Sequence, residues 1–385
     1  MRNRAYLFLY TFVCICLKKG ETYALFECIK MSVNTKPPEV SVIIPVHNGS
    51  LWLESCFNGI TSQDILKTME IEVSIYNDSS TDNTQDIIEK WQSKLKGSNL
   101  LITVSHGQGQ PKGVGFAKNR AVEQSCGKFL CFQDVDDEML PCRLSLQLEE
   151  ARKYPLAIVG SKFLRDPPQS THRFARWANE LDQQKLSLQV YTSHGPTVIM
   201  PTWFCSREVF NRAGKFSEAG KGTPEDLIFF YKHLDEGGTV RRIDEVLLIY
   251  RYHENATTFS ILEDTIWNIR IQRLINKELQ KWSNFTIWNA GKQGRRFYRS
   301  LPQSLQEKVW AMCDIDKKKI GQSYQPYFPD DPERNKNTRP IPIVGFQQAS
   351  PPFIICIKLD LTDGNFEKNL ASLNLSEGED YVLFS

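Results

Sequence analysis

The apolar run Phe129-Leu130-Cys131-Phe132 leads through Gln133 into Asp134-Val135-Asp136-Asp137, so three carboxylates stand just beyond a short hydrophobic segment. A segment of that length and composition predicts an interior strand. In an open α/β sheet, ligands gather in the crevice beyond the carboxyl ends of the strands. Clustered carboxylates there call for a cation, and their hard oxygens suit Mg²⁺ or Mn²⁺. Such ions bridge protein carboxylates to substrate phosphates, which points to chemistry on a diphosphate compound. The competing reading is an aspartate that caps a helix beginning near Pro141. One cap needs one aspartate, and three are present.

Two strand-like segments precede this one. Val40 to Pro45 predicts a first strand that Pro45 ends, because proline has no N–H for the ladder. His47-Asn48-Gly49-Ser50 follows as a turn and helix start. Ile71 to Tyr76 alternates as a second strand, followed by the polar loop Asn77-Asp78-Ser79-Ser80-Thr81-Asp82-Asn83-Thr84 and an amphipathic helix to about Leu95. Strand, polar loop and helix in that order make a βαβ rhythm, and the helix N-terminus can hold a base or a phosphate. Capping by Ser, Asp, Asn and Thr accounts for part of the same loop. Lys112 to Arg120 mixes glycines with cations, a pattern that also fits a plain turn and a solvated helix face.

Taken in order, Pro45-Val46-His47-Asn48, Asn77 to Asp82, Gly115-Phe116-Ala117-Lys118-Asn119, Asp134-Val135-Asp136-Asp137 and Pro224-Glu225-Asp226 resemble the blocks of family 2 inverting glycosyltransferases of the GT-A fold. The resemblance implies a Rossmann-like α/β domain that binds a nucleotide-sugar donor. Asp78 then matches the aspartate that hydrogen-bonds uracil, with Pro45 and Asn48 flanking the base and Lys118 and Asn119 in the donor-binding block. Asp134 and Asp136 match the Asp-X-Asp motif, Asp136 as the direct metal ligand and Asp134 nearer the ribose. Asp226, in the Glu225-Asp226 motif, matches the catalytic base, and Glu225 beside it is a second catalytic candidate. The implied cofactor is Mn²⁺ or Mg²⁺, the implied donor a UDP-sugar, and the implied sugar N-acetylglucosamine. Lys118 stands where the family often has Arg, Asn77 where it often has Asp, and Ser80 where Gly is common; Arg and Lys are not equivalent. The plain alternative for Glu225-Asp226 is the first turn of a helix, where acids suit the macrodipole.

His253, beyond the strand-like Val246 to Tyr250, is a candidate to complete the metal shell or meet a phosphate, with Arg251 as a second cation; a surface-loop histidine is the alternative. Trp203 and Phe204 fit either the floor of a sugar site or the core.

The chain has 385 residues with a formal charge of +2, which suggests two domains and leaves nucleic-acid binding without a basic face to support it. The expected division is an apolar leader or alternative-start segment at 1–35, a GT-A domain at 36–282 and a small Rossmann-like α/β domain at 283–385. Residues 5–17 are short for a membrane span but suit a signal or anchor segment. Buried-type cysteines point to a reducing compartment, and a cytoplasmic location is favoured over the secretory pathway. The sequons at Asn48 and Asn77 agree with that, because a glycan on either would block the nucleotide site. In the last domain, Asn289, Gly291 and Gly294 form a dinucleotide fingerprint lacking its first glycine. Asp314 and Asp316 stand where a ribose-binding acid would, and a structural half-Rossmann unit is the favoured reading. Pro326 to Pro342 reads as a proline-rich loop.

Three functional classes follow. The glycosyltransferase reading leads; its acceptor, whether glycan, lipid, peptide or small molecule, is left open. A sugar-nucleotidyltransferase would want a Gly-rich phosphate loop where Pro45 to Asn48 stands. A degenerate nucleotide-sugar-binding scaffold would have lost turnover yet kept the fold.

Overall fold

The computed structural model describes residues 37–254, 256 and 260–385. The proposed leader lies outside them. The chain divides into two compact units: residues to Ser170 with Val198–Ala256, and Thr171–Thr197 with Thr257–Ser385. This differs from a break at residue 282. The helix Glu263–Leu274 joins the C-terminal unit because Trp267 stands edge-on to Phe384 at 5.0 Å and Arg270 donates to the carbonyls of Tyr191 and Ser385.

The first unit is built on an eight-stranded sheet of order β3-β2-β1-β4-β7-β6-β8-β5. Its strands are β1 (Val40–Val46), β2 (Ile71–Asn77), β3 (Leu100–His106), β4 (Phe129–Phe132), β5 (Glu138–Met139), β6 (Ala157–Asp166), β7 (Phe204–Ser206) and β8 (Thr239–Arg251). β1 pairs in parallel with β2 and β4, β2 with β3, and β6 with β8, while β7 runs antiparallel between β4 and β6. The carboxyl ends of β1, β2, β4, β6 and β8 therefore share one edge, as ligand chemistry in an α/β sheet requires.

Pro45 does not end β1. It lies inside the strand in register with Tyr76, and β1 continues to Val46. Alternate residues of β1 face β4, whose pairing stops at Ile43 with Phe132, so position 45 faces a side where no partner needs its N–H. Helices α1 (Leu53–Thr61), α2 (Thr84–Lys94), α3 (Val114–Gln124), α4 (Arg143–Lys153), α5 (Arg207–Ala213) and α6 (Glu225–Asp235) connect or cover the strands. Trp203 and Phe204 are core residues, both fully buried. Trp203 donates to the Val198 carbonyl and packs with Phe216, Phe229 and Phe230.

The second unit carries a six-stranded sheet, ordered β11 (Ser323–Tyr324), β12 (Ile341–Gly345), β10 (Val309–Asp314), β9 (Phe285–Trp288), β13 (Phe353–Ile355) and β14 (Tyr381–Leu383). All neighbours are parallel except β11 and β12. The reading of 326–342 as an uninterrupted loop is corrected by the helix Pro332–Asn337 and by β12. Pro342 hid that strand, yet its ring sits exposed opposite Ser323 on the short edge partner. Trp288, with Phe353 and Phe366, centres the core. Asp314 is taken up by its own loop and the one after β9: it accepts from the N–H groups of Ala290, Ile315 and Asp316 and from Lys319 Nζ at 2.9–3.1 Å. That pattern is loop closure at the strand end. No helix among the described residues is long and apolar enough to cross a membrane.

Candidate active site

The carboxyl edge of the first sheet opens with two interlocked loops. After β1, Asn48 takes a left-handed conformation (φ 52°), its N–H donates to Ser80 Oγ at 2.8 Å, and its Oδ1 accepts from Thr81 N at 2.8 Å. Asn and Asp tolerate that backbone better than other non-glycine residues. Asn77 Oδ1 accepts from Ser80 N, so it fixes the same turn. Asp78 is buried, with Oδ2 accepting from the N–H groups of Lys112 and Gly113, both at 2.8 Å. The aspartate thus draws the loop before α3 to the end of β2. Pro45 is buried within β1 in register with Tyr76, and the carbonyl of the next residue, Val46, accepts from Asp78 N at 2.7 Å.

Within α3, Lys118 and Asn119 point inward and are both buried. Asn119 clamps the segment after α5: its amide donates to Phe216 O and Glu218 Oε1, and its Oδ1 accepts from Phe216 N. With both ends of its amide so occupied, it is a positioning residue and not a direct donor contact. Gly115 permits the same close approach, since a Cβ there would lie 2.1 Å from Ser217 O.

The turn after β4 separates its three carboxylates. Asp137 is fully buried; Oδ1 accepts from Arg251 N at 2.9 Å, and burial followed by repulsion from Asp136 and Asp134 drives its pKa well above the usual range. It is an internal acid whose Oδ2 is buried without a hydrogen-bond partner. Asp136 Oδ2 lies 2.8 Å from His253 Nε2, and both side chains reach solvent. Asp134 Oδ1 is buried without a hydrogen-bond partner, 3.9 Å from Lys118 Nζ. Burial raises the Asp134 pKa to about 6; Lys118 opposes this, while Asp136 and Glu225 add to it.

Among the described residues no group of three or more His, Cys, Asp or Glu side chains stands ready-made around a metal position. The residues present nevertheless fit one. Neighbouring ligands of an octahedral ion at about 2.0–2.1 Å lie about 3 Å apart, close to the 2.8 Å between Asp136 Oδ2 and His253 Nε2. The unpartnered Asp134 oxygen supplies hard-acceptor capacity beside them.

At the start of α6, Glu225 is buried and bonded to Lys118 Nζ at 2.9 Å. Asp226 is partly exposed, and its Oδ1 accepts from Leu227 N at 2.7 Å. Burial first, then Glu225, raises the Asp226 pKa to about 6 against the pull of Lys118 and the Leu227 N–H. A carboxylate poised there suits general-base work near neutral pH.

Two important residues were missed in the sequence. Arg143 is fully buried beneath the Asp turn and donates to Gln133 Oε1, Phe132 O, Pro201 O and Gln147 Oε1 at 2.7–3.0 Å. Gln133 in turn donates to the carbonyls of Asp134 and Asp137. The one available clue was a cation in the first turn of a helix, where the macrodipole disfavours it. Arg143→Met leaves four buried acceptors without their donor and should lower stability by about 3 kcal/mol or more, read as a shift in the urea midpoint at unchanged slope. Stability within about 0.5 kcal/mol of wild type would remove this structural role.

An acidic turn, a histidine and an aspartate with a raised pKa thus stand at the carboxyl edge of one α/β sheet. Residues 41–214 match the family model described as Glycosyl transferase family 2. It is 27% identical to the uncharacterized glycosyltransferase EpsJ of Bacillus subtilis, over 68% of this chain and 74% of the relative. It is 32% identical to the hyaluronan synthase of Pasteurella multocida over 72% of this chain, but spans only 27% of that protein. Over 25% of the chain it is 39% identical to the Staphylococcus aureus poly(ribitol-phosphate) β-N-acetylglucosaminyltransferase TarS, of which it spans 16%. A crystal structure of S. aureus TarS with UDP-GlcNAc aligns at 20% identity and a TM-score of 0.49, covering 62% of this chain and 67% of that one.

Proposed function

We propose that this glycosyltransferase moves a sugar, N-acetylglucosamine, from a UDP-sugar to an acceptor hydroxyl with inversion and with help from a divalent metal. The observation that carries the proposal is the placement of Lys118 between Asp134 and Glu225, which joins the acidic turn to the Glu225-Asp226 motif in one buried charge network. Donor-side and acceptor-side acids so linked suit a single displacement at one carbon. The sugar is supported by the resemblance in sequence and by the activity named for TarS.

Asp78 and the Asn48 turn would shape the pocket for the base. Asp136, His253 and Asp134 would hold Mn²⁺ or Mg²⁺, which when bound neutralises charge on the departing diphosphate. Asp226 would accept the proton of the acceptor hydroxyl as its oxygen attacks the anomeric carbon from the face opposite the leaving group. One in-line displacement of that kind inverts the anomeric centre and forms no covalent enzyme intermediate. The seven cysteines among the described residues are free, five of them buried, and Asn48 is engaged within the site; both support a reducing, cytoplasmic setting.

Titration calorimetry of the full chain with UDP-GlcNAc, UDP-glucose and GDP-mannose, each with and without Mn²⁺, tests the donor assignment. Metal-dependent binding of UDP-GlcNAc ahead of the others is expected. Preference for GDP-mannose, or equal binding without metal, would overturn it.

A further inference from the structure

Lys118 occupies a position where a cation would be expected to touch the donor, and its surroundings argue otherwise. The side chain is 2% exposed. Its ammonium meets Glu225 Oε1 at 2.9 Å, Met200 Sδ at 3.2 Å and Asp134 Oδ1 at 3.9 Å, and it lies 5.4 Å from the centre of the Phe216 ring. An ammonium has three protons to give. One goes to a buried carboxylate, one to a sulfur, and the remaining direction of charge is toward Asp134, so little is left for a phosphate or a sugar.

The elements it ties together carry the rest. Lys118 sits in the middle of α3, Glu225 begins α6 beside Asp226, and Asp134 follows β4. Resting on the proposed donor reading, the geometry assigns Lys118 and Glu225 a joint positioning role: the buried ion pair fixes the first turn of α6, and with it Asp226, against the acidic turn that faces the donor. Glu225 is then not a catalytic residue, because its carboxylate is spent on Lys118. Removing either partner strands the other charge in the interior, so the two losses describe one event.

The test compares wild type, Lys118→Met, Glu225→Gln, the double variant and Lys118→Arg, using UDP-GlcNAc with Mn²⁺ as the probe. Calorimetry reads donor affinity, and release of UDP reads turnover. Each single variant should lose turnover by roughly tenfold or more while donor Kd changes by less than about threefold, and the double variant should be no slower than the slower single. Lys118→Arg, which keeps the cation, should retain most of the activity. A tenfold weaker donor Kd in Lys118→Met with normal Kd in Glu225→Gln would make Lys118 a donor contact and overturn the assignment. Additive losses would do the same. Should a single variant fail to fold, the double variant, which leaves no stranded charge in the pair, decides: it should fold and show reduced turnover with near-normal Kd, and wild-type turnover would overturn the role. If wild type binds no UDP-GlcNAc, the donor reading falls by itself. Urea unfolding of the same proteins then judges the tie, with non-additive midpoint shifts keeping it and additive ones removing it.

Discussion

Asp226→Asn should lower the rate of UDP release by about 10² to 10⁴ while leaving UDP-sugar affinity within about threefold of wild type. The asparagine oxygen can keep the bond from Leu227 N that orients the side chain, so geometry survives and only basicity is lost. Glu225 cannot take over, because its carboxylate is bonded to Lys118. In wild type, turnover at saturating donor should rise with pH through about 6, where Asp226 becomes the carboxylate that a base must be. The stability sign runs the other way. A carboxyl raised from 3.8 to about 6 is equally protonated in folded and unfolded chains below 3.8 and costs stability increasingly as pH climbs from there to about 6. Asp226→Asn removes that cost, so the variant should unfold at a higher temperature than wild type at pH 7.5 despite its lost activity. A variant that is both less stable and weaker in donor binding would instead make Asp226 a structural residue.

Much of this site could be read from the sequence because its parts are local. The acidic turn, the polar loop after β2 and the Glu225-Asp226 pair each lie directly beyond a strand or at a helix start, where a few consecutive residues determine the geometry. The chain's α/β class was visible for the same reason, in short apolar runs separated by polar turns. What could not be read depends on contacts between distant segments. Nothing local distinguishes Asp137, turned inward to meet Arg251 N, from Asp136, turned outward to meet His253. Asn119 has the composition of a ligand contact and the environment of a clamp, and only the approach of Phe216 shows which applies. Arg143 gives no local sign of its role because three of its four acceptors, on Phe132, Gln133 and Pro201, lie outside its own helix in two other stretches of chain. The unit boundary was misplaced for a related reason: the partners that assign the helix Glu263–Leu274 to its unit, Tyr191 and Ser385, are far away in sequence.

Asp136→Asn should abolish the part of UDP-sugar affinity that depends on Mn²⁺, a loss of about 100-fold or more, without unfolding the protein. Outer partners of a metal ligand are commonly worth 10- to 100-fold in affinity, so a direct ligand should exceed that. The fold is spared because the side chain reaches solvent, whereas the neighbouring Asp137 is the one that holds Arg251. Asparagine preserves the size of the group and a hydrogen bond with His253, so the experiment isolates charge. His253→Ala should weaken metal-dependent binding less, since it removes one ligand and frees Asp136 Oδ2 from its 2.8 Å contact. Protons compete for the same place: with Asp134 raised to about 6, affinity for Mn²⁺ together with donor should fall as pH drops through that value. If Asp136→Asn instead binds donor equally well with and without Mn²⁺, at wild-type strength, the acidic turn does not hold the ion. Its carboxylates would then shape the site through Lys118 and His253 alone, and the diphosphate charge would have to be met by cations of the protein.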